Sequence, residues 1–347
     1  MAPGARLSRA AQGLEQTEGR AALESRAPGK LSRRSLLAAT AALPVAAQAQ
    51  SWPSQPFKIV VPYPPGGLTD VLGRLVGERL QAGFGQPAVI DNKPGAATQL
   101  GAAFVAKAPP DGYTLLLATV STMCITPVLY AKPLIQHADF APVAMMGRVV
   151  LFLVCRPDLP VADPKALVAL LQAKPDGYSY GSPGVGTAHH LLVELIRSRQ
   201  PFSATHIPYL GSAKAVVDLM EGRFDFMFLD AAVALAPLKA GKLKVLAVTG
   251  AVRDPTLPDV PPLTDFFPGF DLQPWMSIAG PAGLPLPLAE RLNAELNKAL
   301  ADPIFVQRLR DVGLAATPMT VEAFGDFIKR DAARWAELVK LSGAKAE

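Results

Sequence analysis

Short apolar runs alternate with amphipathic, helix-like segments over most of this chain, and the alternation stops once and then restarts. The interruption falls at Ala141–Gly147 and Val149–Cys155, two apolar runs that nearly touch. The second, Val149-Val150-Leu151-Phe152-Leu153-Val154-Cys155, is continuous, as expected of a strand buried on both faces. Two series of alternating strands and helices predict two α/β units. The expected strands before the break are Phe57–Val61, Ala88–Ile90 and Tyr113–Ala118, with helices Thr69–Phe84 and Gln99–Lys107 between them. After it come helix Pro164–Lys174 behind an Asp163 cap, Tyr178–Gly181, helix Ala188–Arg199, Ala204–Ile207, helix Ser212–Glu221, Phe224–Leu229, helix Ala231–Ala240 and Leu243–Thr249. A proline-rich connector, Pro255 to Pro268, leads to one more strand within Leu272–Ala279.

The remaining helices, Pro287–Leu300, Pro303–Val312 and Val321–Leu341, have no strands of their own. They are expected to pack on the first sheet, which makes the second unit an insertion. The chain then crosses between lobes twice, near Arg148–Arg156 and near Asp271–Gly280. The expected lobes are residues 50–150 with 276–347, and residues 151–275. A length of 347 residues, half of them apolar, is ample for two cores.

The N-terminus reads as a targeting segment. Ser32-Arg33-Arg34-Ser35-Leu36-Leu37 is a twin-arginine pattern, followed by a weakly apolar run to Ala47 that is too short to span a membrane. Ala47-Gln48-Ala49 is a small-x-small cleavage signal, so residues 1–49 are expected to be a leader cut after Ala49, with delivery to the periplasm. This leader carries four of the five net positive charges. The mature chain is close to neutral, which removes any electrostatic case for nucleic acid or an anionic membrane. Cys124 and Cys155 have no metal-ligand spacing, and whether they form a bridge stays open. No metal site and no cofactor are expected.

Glycine or hydroxyl residues stand at the ends of the predicted strands, just before helices. Val61-Pro62-Tyr63-Pro64-Pro65-Gly66-Gly67-Leu68-Thr69-Asp70 is the clearest case, with Thr69 or Asp70 as the expected helix cap. Asn92 to Gln99, Ala118 to Thr122, Gly181 to His190, Tyr209 to Ser212 and Leu229 to Ala232 follow the same form. In open α/β sheets ligands sit outside the carboxyl ends of the strands. Such turns offer backbone N–H groups, hydroxyls and helix dipoles to a small polar or anionic ligand. An enzymatic reading finds little support. Gly181-Ser182-Pro183-Gly184 lacks the Gly-x-Ser-x-Gly spacing, and a hydrolase or lyase using Ser182 with His189 or His190 is the alternative. Adjacent histidines cannot share a helix face, so they are no zinc pair. His190 is expected in the first helical turn, hydrogen-bonded or facing the cleft. Trp275 is expected to fill core rather than line the cleft.

Taken in order, these motifs resemble the Bug-type periplasmic receptors of tripartite tricarboxylate transporters. The resemblance rests on Ile59 to Asp70, Asp91-Asn92-Lys93-Pro94-Gly95-Ala96, Val105 to Leu115, Asp139-Phe140-Ala141-Pro142-Val143, Tyr180 to Leu191, His206-Ile207-Pro208-Tyr209, Leu246 to Thr249, Leu257 to Pro261 and Ala279 to Gly283. It implies a two-lobed, type II periplasmic-binding (Venus flytrap) α/β fold with a hinge crossed twice. It implies a receptor without catalytic residues that captures a small organic carboxylate, such as a dicarboxylate, an amino acid or an aromatic acid, and delivers it to a membrane permease. A receptor that feeds a signalling partner would read the same. A monomer is expected. Carried over by position, the ligand-binding residues are Pro65, Gly66, Gly67, Leu68, Thr69 and Asp70 in one lobe, and Ser182, Gly184, Gly186, Thr187 and His190 in the other. Thr119, Ser121, Thr122 and Asp230 are further candidates. Two departures from the family pattern stand out: Gly95 is followed by Ala96 and Ala97 where adjacent glycines are usual, and Leu210 replaces a cationic residue.

Overall fold

The computed structural model describes residues 52–344; the expected leader and its cleavage after Ala49 lie outside the described residues. Two mixed sheets organise the chain. Strands β1 (Phe57–Val61), β2 (Ala88–Asn92), β3 (Thr114–Thr119), β4 (Phe140–Val149), β10 (Trp275–Pro281) and β11 (Leu314–Ala316) form the first, in the order β11-β4-β10-β3-β1-β2. Strands β5 (Leu151–Cys155), β6 (Ser179–Ser182), β7 (Thr205–Pro208), β8 (Phe226–Asp230) and β9 (Lys244–Val248) form the second, in the order β7-β6-β8-β5-β9.

The first sheet is covered by helices α1 (Leu68–Phe84), α2 (Gln99–Ala106), α8 (Leu286–Ala301), α9 (Pro303–Asp311) and α10 (Val321–Ser342). A π-helical turn, Ser121–Ile125, runs into the short α3 (Thr126–Leu129). Helices α4 (Pro164–Ala173), α5 (Ala188–Arg199), α6 (Ser212–Met220) and α7 (Ala231–Lys239) belong with the second sheet.

Burial explains the strand runs. β1 pairs in parallel with β2 and β3, and Phe57, Ile59, Val60 and Val61 are fully buried. A parallel strand covered on both faces cannot alternate polar and apolar residues. β5 is likewise buried throughout. The chain passes from the first sheet to the second at Val149–Leu151 and returns along the segment that ends at Trp275. The crossing segments are tied together: the Val149 amide donates to the Pro274 carbonyl at 2.7 Å, and the Leu151 amide donates to the Thr249 hydroxyl at 2.9 Å.

Helix starts follow local chemistry, with one correction. Asp163 accepts from the Ala166 amide at 2.8 Å and caps α4, with Pro164 at the first helical position. For α1, neither Thr69 nor Asp70 is the cap. Gly67 takes that place, and Asp70 lies one turn in, where Oδ2 accepts from the Gly66 amide at 3.2 Å. The carboxylate reaches back past the cap to the amide of the residue before it, one position beyond the partner of a capping box.

Two features were beyond the sequence reading. β11 has three residues and is a strand only because β4 offers it an antiparallel edge, Leu314 opposite Val149. And α10 does not pack on the first sheet alone: it also lies against α5 of the second. Cys124 and Cys155 are free, buried thiols.

Close packing also fixes α2. A Cβ at Gly101 would stand 2.7 Å from the Lys93 carbonyl oxygen and 3.1 Å from Pro62 Cα. Both are backbone atoms that cannot swing away, so Gly101→Ala is expected to destabilise the fold by about 1–3 kcal/mol. Urea unfolding measures this, and an unchanged midpoint would refute the close approach.

Candidate functional site

The strand-to-helix turns of the two sheets face one another across a cleft. Between them lies a cavity of about 310 Å³. On the first lobe its wall is Tyr63, Pro64, Pro65, Gly67, Leu68 and Thr69, with Thr119, Val120 and Ser121 beyond. On the second it is Pro183, Ala188, His189, Leu210 to Lys214, and Asp230. The crossing strands close the back with Val149, Leu151, Pro274, Trp275 and Met276.

Three helices begin at this cavity: α1 at Leu68, α5 at Ala188 and α6 at Ser212. The first N–H groups of a helix have no partner inside it and carry the positive end of its dipole. In α1, Asp70 and Val71 donate back to the Gly67 carbonyl at 3.1 Å, while Leu68 and Thr69 donate no such bond among the described residues. In α5 the first amide is already used: Ala188 donates to Ser121 Oγ of the opposite lobe at 3.1 Å. That bond links the lobes directly. Nearby, Gly211 packs on Pro64, where a Cβ would come within 3.3 Å of its ring.

The second lobe contributes one acid to the wall. Asp230 is buried; its Oδ1 lies 3.2 Å from His189 Nε2, and its Oδ2 accepts from the Ser212 hydroxyl at 2.6 Å. Burial by itself raises a carboxyl pKa, but the His189 ring and the two hydrogen bonds outweigh it and hold Asp230 below its ordinary range. Lys214 stands on the same wall. On the first lobe the Tyr63 hydroxyl lies 3.5 Å from Thr119 Oγ1, and burial raises its pKa.

Of the residues expected at the site, Pro65, Gly67, Leu68, Thr69, Thr119, Ser121 and Asp230 line this cavity. Gly66 (φ 89) turns its amide to Asp70. Asp70 itself faces away: Arg74 donates to both of its oxygens, at 3.2 and 3.1 Å. Burial pushes the Asp70 carboxyl up, but Arg74 and the Gly66 amide more than reverse this and keep it low. Thr122 is fully buried and bonds to Thr119 Oγ1 at 3.2 Å. Gly184 and Thr187 line a neighbouring cavity instead, and Thr187 caps α5 through the His190 amide.

Of the two alternatives expected for His190, hydrogen-bonded or facing the cleft, the first holds, and its neighbour His189 faces the cavity. Successive helix residues point about 100° apart, so only one of the pair can face the cavity, and it is His189. His190 points into the lobe: its Nδ1 accepts from the Gly186 amide at 3.3 Å and its ring stacks on His206, centroids 4.2 Å apart. Gly186 is held there by this bond and does not line the cavity. Ser182 is fully buried and pairs with His206 Nε2 at 2.7 Å, not with His189 or His190. The imagined Ser182 nucleophile is therefore sealed behind the wall.

Tyr63 and the Leu210–Ser212 turn carried a visible signal, because they sit in the proline- and glycine-rich turns. Val149, Leu151 and Met276 carried none. They are ordinary strand residues that the crossing happens to bring to the cleft. Trp275 serves both roles, since it is fully buried and also forms part of the cavity wall.

A receptor with two α/β lobes around a cleft is what this fold and site define. The family profile described as "Tripartite tricarboxylate transporter family receptor" matches residues 72–344, and the chain belongs to this family of periplasmic solute-binding receptors, which is not a family of enzymes. BugT of Bordetella pertussis is 34% identical over 311 residues, covering 88% of this chain and 95% of that protein. Rpa4515 of R. palustris, solved with adipate, superposes with a TM-score of 0.81 at 31% identity, over 85% of this chain and 99% of that one. MatC (Rpa3494) of Rhodopseudomonas palustris, solved with malate, gives 0.78 at 28% identity, over 83% and 100%.

Proposed function

We propose that this receptor binds a small organic acid between its lobes and hands it to a membrane permease of the tripartite tricarboxylate type. One observation carries the reading: helices α1, α5 and α6, drawn from both lobes, begin at one cavity of about 310 Å³. Helix N-termini bind carboxylates without a matching arginine. Adipate and malate in the two solved relatives are small dicarboxylates, which supports the same class here. In this reading residues 50–150 with 276–347 close on residues 151–275 about the double crossing, and ligand favours the closed form by its differential affinity. Export by the twin-arginine route, cleavage after Ala49 and a monomeric state belong to the same proposal. N-terminal sequencing of exported protein tests the cleavage.

The binding test is a thermal-shift screen of dicarboxylates, amino acids and aromatic acids. A ligand at a hundredfold excess over its Kd is expected to raise Tm by about 4 °C. Thr69→Val removes a cavity hydroxyl while keeping the side-chain shape, and is expected to weaken the responding acid about three- to tenfold with an unchanged ligand-free Tm. A screen with no response, or a Thr69→Val protein of full affinity, would count against the reading.

A further inference from the structure

The cleft holds a second cavity, of about 290 Å³, beside the first. Tyr63, Pro64, Pro183 and Leu210 wall both, so two residues from each lobe stand at the boundary between them. Leu210 is 74% exposed, so this boundary meets solvent on one side. No charged side chain lines the second cavity; prolines, glycines and uncharged side chains, three tyrosines among them, make its wall.

Thr98 stands apart among its hydroxyl-bearing residues. It lines this cavity and is only 3% exposed, yet its Oγ1 has no hydrogen-bond partner among the described residues. It occupies the cap position of α2 without capping it. Buried hydroxyls in native proteins are almost always paired, and an orphan one needs an explanation. The backbone sharpens the point. Ala96, Ala97 and Thr98 take φ values of 44°, 48° and 79°, all in the left-handed region that favours glycine. Their amides donate no backbone hydrogen bond among the described residues. An unpaired hydroxyl and unused amides thus meet at the start of a helix, in an uncharged pocket that shares a wall with the main one.

We propose that this second cavity is a subsite for the far end of an elongated ligand, and that the Thr98 hydroxyl donates to a hydrogen-bond acceptor there. The inference rests on the proposed function, because the near carboxylate is placed in the main cavity. The ligand class it selects is a flexible α,ω-dicarboxylate long enough to extend past the shared boundary at Tyr63 and Leu210. Short diacids fit the main cavity alone and do not reach Thr98.

Titration calorimetry of succinate, glutarate, adipate, suberate and sebacate on the wild type, Thr98→Val and Thr98→Ser tests this. Valine has the shape of threonine, so the left-handed backbone is no more strained than before, and serine keeps the hydroxyl. The wild type is expected to prefer the longer diacids. Thr98→Val is expected to weaken those by about three- to tenfold and to leave succinate within twofold, while Thr98→Ser restores most of the affinity. Equal loss for every chain length, or no loss for any, overturns the subsite. Binding of aromatic acids alone also overturns it while the receptor reading stands. A screen in which no acid binds removes both.

Discussion

Trp275→Ala is expected to lower stability by about 3–5 kcal/mol and to weaken any cleft ligand at the same time. The indole is fully buried at the point where the chain re-enters the first sheet. It packs edge-on against Phe324 and Phe327 of α10, with ring centroids 5.9 and 5.6 Å away. Its Nε1 donates to Asp331 Oδ2 at 2.5 Å, and Trp335 donates to the same oxygen at 3.0 Å. Truncation therefore opens a cavity and also strips a donor from a buried carboxylate that burial already pushes above its ordinary pKa. Trp275→Phe separates the two effects. It keeps most of the packing and loses the donor, for an expected cost of about 1–3 kcal/mol. Urea unfolding with an unchanged m-value measures both. A Trp275→Ala protein within about 1 kcal/mol of wild type would show that the wall collapses without penalty.

Acid is expected to destabilise the fold well before its carboxylates titrate. His190 and His206 stack face to face with Tyr180 alongside, and Glu194 and Arg197 lie near. Burial lowers the His190 pKa to about 3, with the His206 ring and Arg197 adding to the effect. Burial, and then Arg197, lowers His206 to about 4. Both rings are neutral in the native state, while the unfolded chain takes up protons near pH 6.5. Between pH 6.5 and 4 the unfolded state therefore binds more protons, and stability falls as pH falls. The expected loss between pH 7 and pH 4 is roughly 6 kcal/mol, about 3 kcal/mol for each ring, with little change above pH 7. A His190→Asn, His206→Asn double variant should lose most of this slope. Comparing the two titrations cancels the carboxylate contributions, including that of Asp331, which acts in the opposite direction. Parallel curves for wild type and variant would show that the stack does not drive the acid response. Because Gly186 donates to His190 and Ser182 pairs with His206, the turn at Ser182–Thr187 should loosen in the same pH range.

The alternation of strands and helices was legible because the central strands, Phe57–Val61, Thr114–Thr119, Leu151–Cys155 and Phe226–Asp230, are short, largely apolar and buried almost throughout. Phe57–Val61 and Ala188–Arg199 carry the observed boundaries in their residues alone. The turns that wall the cleft were legible for a related reason: proline, glycine and hydroxyl residues are needed locally to leave a strand and start a helix, whatever the rest of the chain does. Leu314–Ala316 could not be read in this way, since three residues make a strand only beside an existing edge.

Direction within the turns was likewise a tertiary matter. Asp70 and Gly66 sit in a cavity-forming turn, yet the side chain and the amide satisfy each other, with Arg74 as the third member. Of two adjacent histidines, helix geometry gives one to the cavity and one to the core, and only the position of His206 on β7 decides which. Burial and backbone preferences within a few residues are enough to specify the two α/β units, their order and the chemistry offered at the turns. Which donors remain free, where the crossing strands place Trp275, and that Thr98 is left with an unpaired hydroxyl depend on contacts between residues far apart in the chain. Those were decided only when the lobes and α10 came together.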